Sequence, residues 1–205
     1  MASVQLDLRS LDPGSAPLPG DIAEVAQADS AVVQGPVPAL AGVLTALHKA
    51  GRTADVPVSW EPADDDDSRG LARDLRIGSG EERALPLVLD DHGGVLLHRG
   101  RIEPATEDPR HAIGRRVGLQ AHHDAAKVAD GTVTRIDVRP DWKAVDSLRV
   151  FVTVAPLRPV RRSTGRALQV ASDPARVIRD GVAYPRPVTR WTWYADPRFR
   201  WLLRP

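Results

Sequence analysis

The sequence predicts a mixed α/β and β fold: a small α/β lobe over residues 1–84, then an antiparallel β-sandwich lobe over residues 85–205. Three observations carry this. Up to Trp60 the apolar positions follow strand, then helix, then strand spacing, the order of a parallel α/β unit. From Leu85 onward short apolar segments alternate with a period of two. Asp130-Gly131 and Asp180-Gly181 then supply tight hairpin turns, because both positions tolerate positive φ.

Each element follows from local chemistry. Val4-Gln5-Leu6-Asp7-Leu8 alternates as a strand. Asp12 to Gly20 is rich in Pro and Gly and reads as a loop. Asp21 caps a short helix through Ala28, with Ile22 and Val25 inward. Ala31-Val32-Val33 is a short buried strand. Pro38 suits a first helical turn, and Leu40, Val43, Leu44 and Leu47 follow at helical spacing. Lys49 complements the helix dipole, and Gly51 serves as a left-handed cap. Val56 to Trp60 returns as a strand. The run Asp64-Asp65-Asp66-Asp67 reads as a solvated acidic loop, with Ser68 capping a helix from Gly70 to Ile77. Leu85 to Leu89 and Val95 to His98 flank a hairpin at Asp90-Asp91-His92-Gly93-Gly94. Strands follow at Thr132–Val138, Leu148–Val154, Arg166–Ala171, Val177–Arg179 and Val188–Tyr194.

Composition narrows the chemistry. There are no cysteines, which excludes disulfides, thiolate catalysis and Cys-based zinc sites. No segment reaches the roughly 18 apolar residues of a membrane span, and the N-terminus lacks signal-peptide regions, so a cytoplasmic location is expected. Net charge is +1, but residues 1–100 hold 8 basic against 16 acidic residues, and residues 101–205 hold 20 against 11. The arginines are interspersed rather than clustered, as on solvent-facing strand positions, so nucleic acid is not the expected partner.

Three segments fall in an order that carries more than their separate contents. Ala31-Val32-Val33-Gln34-Gly35-Pro36-Val37-Pro38-Ala39-Leu40 places one glycine between a buried strand and a helix. Trp60-Glu61-Pro62 ends the next strand, and Leu71-Ala72-Arg73-Asp74-Leu75 follows as a helix. Asp180-Gly181-Val182 forms a late turn. In this order they resemble the loops of the bacterial diacylglycerol and lipid kinases, relatives of the NAD kinases. Those loops read Gly-Gly-Asp-Gly-Thr, then Gly-Thr-x-Asn-Asp before a Leu-Ala-Arg-Asp-Leu-like helix, then Asp-Gly-Glu. The resemblance covers most of residues 30–195 and implies an NAD kinase/diacylglycerol kinase-like fold with a shortened α/β lobe. If kinase activity is retained, it also implies ATP and Mg²⁺ as cofactors.

The residues depart from that pattern where phosphate chemistry is done. Phosphoryl transfer needs backbone donors, positive charge and a base near the acceptor hydroxyl. Gln34 replaces a glycine and Pro36 the acidic residue of the first loop, leaving Gly35; Pro36 and Pro38 contribute no N–H. Asp66 and Asp67 begin the second loop, where two carboxylates repel a triphosphate but can hold a divalent cation. Val182 stands in place of the glutamate proposed as general base, leaving Asp180 as a vestigial catalytic candidate with a full explanation as a turn residue.

Other groupings are less specific. Arg158, Arg161, Arg162 and Arg166, with Ser163 and Thr164, form a candidate anion-binding loop. His122 and His123 point to opposite sides of a strand and cannot both hold one ion. Trp191 and Trp193 share a strand face and are expected in packing. The reading is a kinase-like protein impaired in ATP chemistry that retains a cleft for a small-molecule or phosphate-bearing ligand or a partner, with a homodimer as one form. Alternatives are a divergent lipid kinase using Asp66 or Asp67 for metal and Asp180 as base, and a polyanion-binding module.

Overall fold

A computed structural model describes residues 2–105, 115–144, 146–155 and 160–204. Three parallel strands, β1 (Ser3–Asp7), β2 (Ser30–Gly35) and β3 (Pro57–Pro62), lie side by side in chain order. A 3-10 helix (Pro19–Gln27) connects the first two, and α1 (Val37–Lys49) the second pair. The 3-10 helix lies where the sequence predicts a short helix capped by Asp21, but it starts two residues earlier, at Pro19. Asp21 instead accepts a hydrogen bond from the Leu18 amide at 3.1 Å, and Ile22 and Val25 are buried as expected. The helix α1 buries Leu40, Val43, Leu44 and Leu47, and Gly51 follows its end at φ 70°.

The remaining strands are β4 (Arg83–Asp90), β5 (Val95–Leu96), β6 (Gly100–Pro104), β7 (Val117–His123), β8 (Ala126–Val133), β9 (Arg135–Pro140), β10 (Leu148–Thr153), β11 (Arg161–Gly165), β12 (Ala167–Arg179), β13 (Val182–Ala183) and β14 (Val188–Leu203). Apart from a short parallel pairing of β14 with β3, their pairings are antiparallel. Two long strands organise them. The strand β12 pairs with β14, β6, β7 and β13, running unbroken past Ala171, where the sequence suggested a stop. The strand β14 continues beyond Tyr194 to Leu203 and pairs first with β12, then with β4.

Two hydrophobic clusters result. One gathers α1, the buried faces of β1 to β3, Leu87 and Leu89, and the late residues Trp201 and Leu203. The other gathers Ile136, Val138, Val150, Val152, Trp191 and Trp193. The strand β14 thus enters both. Trp191 and Trp193 lie edge-to-face, 5.8 Å between ring centroids, and are 2 % and 0 % exposed, so they pack as expected.

A glycine makes room for that pair. A Cβ on Gly100 would sit 2.8 Å from Trp193 Cζ2, and Trp193 has nowhere to retreat. Gly100→Ala is expected to lower stability by about 2 kcal/mol, as overpacking does. A fall in the urea midpoint at unchanged slope checks this.

Asp130-Gly131 does not form a turn. Both lie inside β8, opposite Gln120 and Leu119. The hairpin turns earlier, at Asp124, which takes a positive φ of 52° because its carboxylate accepts from the amides of Arg166 and Ala167. Among the described residues no helix is long and apolar enough to cross a membrane.

Candidate functional site

The C-terminal end of β2 meets α1 at Gly35. Its φ of 146° favours glycine, and a Cβ there would approach the Leu8 carbonyl oxygen to 2.8 Å. The Gly35 carbonyl accepts from Trp60 Nε1 at 2.9 Å and from the Ala63 amide at 3.1 Å. Those bonds tie the end of β2 to the strand beside it. Gln34 turns away and donates to Glu61 at 2.6 Å. Pro36 is the residue before α1 and Pro38 lies in its first turn. The one free-standing amide between them, that of Val37, donates to Ser68 Oγ at 3.2 Å.

Ser68 was expected to cap the second helix. The cap is Asp65, which accepts from the Ser68 amide at 2.8 Å and its hydroxyl at 2.6 Å. The helix α2 (Asp66–Leu75) therefore starts inside the acidic run, not at Gly70, and Asp66 and Asp67 fall in its first turn, where negative charge favours the helix dipole. It ends at Arg76, left-handed at φ 52°, before reaching Gly78. Asp64 and Asp66 both pair with Arg69. Asp67 faces His98, 3.3 Å away.

Asp180 and Gly181 do form the turn between β12 and β13, at φ 49° and 86°. The Asp180 side chain is buried and accepts from three consecutive amides: Leu97 at 2.8 Å, His98 at 2.8 Å and Arg99 at 2.9 Å. Burial pushes its carboxyl up, against the pull of those amides and of the Arg179 charge. Arg179 reaches over Gly94 to pair with the buried Asp90.

Three of the predicted residues come together. Pro36, Asp67 and Asp180 line one pocket of about 390 Å³, with Arg9, Asp12 and His98. Gln34, Gly35 and Asp66 are not among its lining residues and are engaged as described. A second pocket of about 360 Å³ shares Pro38 and Asp180 with the first. Its walls are mostly apolar, with Ile22 from the 3-10 helix, Ala41, Gly42 and Ala46 from α1, Pro17 from the loop before the 3-10 helix and Val182 after the turn, but Lys49 and Arg179 line it as well. Sequence reading missed this pocket and His98. The spacing of Pro38, Ala41, Gly42, Thr45 and Ala46 on α1 was the available signal for the former.

The arginine candidates lie elsewhere. Arg161 and Arg162 sit on β11, a strand rather than a loop, paired with β10 at the far end of the sheet. Arg162 lies over the Phe151 ring at 5.9 Å, and Arg166 just precedes β12. Arg158 lies outside the described residues. His123 is buried with Nδ1 2.9 Å from Ser163 Oγ, while His122 is half-buried on the other face.

No protein-family model matches the sequence, and no curated protein resembles it. Solved structures do match in shape. A putative diacylglycerol kinase from Bacillus anthracis str. Sterne superposes with a TM-score of 0.70 at 8 % identity, over 99 % of this chain and 96 % of that one. An NAD kinase from Archaeoglobus fulgidus in complex with ATP gives 0.62 at 12 % identity, over 100 % of this chain and 94 % of that one. With these likenesses spanning nearly the whole of both chains, the chain has the NAD kinase/diacylglycerol kinase-like fold.

Proposed function

We infer that this chain is a kinase-fold binding protein: it holds an apolar or amphiphilic small molecule in the pocket beside α1 and does not transfer phosphoryl groups from ATP. The observation that carries the reading is the donor set around Pro36. A triphosphate needs several converging N–H groups and positive charge. Here Pro36 and Pro38 have no N–H, the Val37 amide is bonded to Ser68, and the wall beyond carries Asp64, Asp65 and Asp67. Arg9 brings one positive charge, already paired with Asp7. These residues do not fit the triphosphate of ATP. Val182 lacks a proton-accepting group, whereas the adjoining pocket is lined mostly by apolar side chains, with Lys49 and Arg179 to meet a polar head, and is of small-ligand size.

A ligand present at about 100 times its Kd adds about 2.7 kcal/mol to stability, so binding is visible as a rise in Tm. The expected results are no rise with ATP and Mg²⁺, and saturable binding of a fluorescent short-chain diacylglycerol. Ala46→Phe, which fills the apolar pocket, should abolish that binding and leave the fold intact. A rise in Tm with ATP and Mg²⁺, together with phosphate transfer to a lipid alcohol, would favour the divergent kinase instead.

A further inference from the structure

We propose that the free edge of β1 is a docking groove for an extended peptide that alternates basic and apolar side chains, adding to the sheet as a further strand. The strand β1 ends the strand order and, among the described residues, pairs with β2 alone. The Leu8 amide donates to the Gln34 carbonyl at 2.8 Å, so the even-numbered residues of β1 turn their peptide groups toward β2. By alternation, Ser3, Gln5 and Asp7 turn theirs outward. A five-residue strand offers this unpaired ladder over about 17 Å.

The edge is not open surface. The chain leaves β1, doubles back through the loop to the 3-10 helix, and walls a groove of about 700 Å³ along it. Gln5 to Leu8 line it from the end of β1, Asp12 and Leu18 from the loop, and Asp21 and Glu24 from the 3-10 helix. Leu18 is 68 % exposed, the more exposed of the two large apolar side chains left in solvent among the described residues. The groove is lined by four acidic side chains and by no Lys, Arg or His. Asp7 is held by Arg9 at 2.6 Å and Asp21 accepts from the Leu18 amide, but among the described residues Asp12 and Glu24 form no ion pair.

These features select the occupant. The outward amides and carbonyls supply the main-chain bonds of strand addition, and side-chain complementarity supplies the choice. The acidic wall favours Lys or Arg on the incoming strand, Leu18 favours an apolar residue between them, and a polyanion is repelled. The edge at the other end of the sheet, β11, carries Arg161 and Arg162, charges that discourage pairing with another chain. The strand β1 carries no proline, lysine or arginine. The proposal does not depend on the reading of the kinase-like cleft.

The test uses the full chain and a fluorescein-labelled heptapeptide of alternating lysine and valine, followed by fluorescence anisotropy at low salt. Saturable binding is expected. The same peptide N-methylated on its backbone keeps every charge and side chain but cannot pair, and should not bind. Gln5→Pro removes an outward N–H without touching the bonds to β2, and should weaken binding by about tenfold. The double substitution Asp12→Lys with Glu24→Lys should weaken it at least as much, and carries the test if the proline variant does not fold. The proposal is overturned if the peptide fails to bind, or if the N-methylated peptide binds equally. It is also overturned if sedimentation shows that the chain self-associates and Gln5→Pro makes it monomeric, since the occupant would then be a second copy.

Discussion

Asp180→Ala is expected to remove about 4 kcal/mol of stability, a large part of the 5–15 kcal/mol that holds a typical domain together. Three effects add. The amides of Leu97, His98 and Arg99 lose their acceptor, and each unsatisfied buried donor costs about 1–3 kcal/mol. Alanine at a φ of 49° adds about 1 kcal/mol of backbone strain. The cavity left by the carboxylate offers a water some relief, which keeps the total below the simple sum. Asp180→Asn keeps one acceptor oxygen and tolerates the left-handed backbone, so it should fall between parent and alanine variant.

This prediction separates two roles for one residue. If Asp180 served only as a catalytic base, alanine would leave the urea midpoint in place and abolish turnover. The geometry favours the opposite. The carboxylate is directed at its own scaffold, joining the turn after β12 to the segment between β5 and β6, and the turn and the tie both use the aspartate-glycine pair. Equilibrium unfolding in urea of the three proteins, at one pH and with slopes compared, distinguishes the cases.

How far the sequence could be read follows from the range of the interactions concerned. The helix α1 was legible because its apolar spacing, Pro38 and Gly51 all act within a few residues. The convergence of Pro36, Asp67 and Asp180 was legible only through the order of three loops, since no local rule brings residues so distant together. The bonds from Asp180 to Leu97, His98 and Arg99 span 81 to 83 positions, and nothing in the pattern near either end announces them. The alternation in the sequence supports a strand only over Val188–Tyr194, and Asp196 and Pro197 beyond it do not continue that pattern. The pairing with β4 instead shifts register between Asp196 and Arg200 and resumes, carrying Trp201 and Leu203 into the first core. Asp130-Gly131 misled for the converse reason: turn-forming residues allow a turn without compelling one, and Asp124, capped by two amides, took it.

Asp137→Asn should destabilise the fold by about 3 kcal/mol at neutral pH, through charge rather than volume. Asp137 on β9 is 6 % exposed and gathers three arginines. Arg99 donates to it at 2.8 and 3.0 Å, Arg101 from the directly opposing position of β6 at 3.1 Å, and Arg135 pairs with it at 2.8 Å. Burial alone would push the carboxyl up, but the hydrogen bond from Arg101 and the charges of Arg99 and Arg135 outweigh it and hold the carboxyl below the ordinary 3.8. Asparagine keeps the shape and removes the charge, leaving three guanidinium groups facing one another around a half-dry site; breaking such a cluster from one side costs about 3–5 kcal/mol. The sign of the pH dependence follows from the lowered value. An acid whose folded pKa lies below its unfolded one stabilises fully above the unfolded value, and that contribution is lost as pH falls through the folded value. The parent protein should therefore lead the variant by a constant margin from about pH 5 upward, and the two curves should converge below about pH 4. Urea midpoints measured from pH 3 to pH 7 test this: a gap that persists unchanged into acid would mean that the arginines are held by something other than the Asp137 charge.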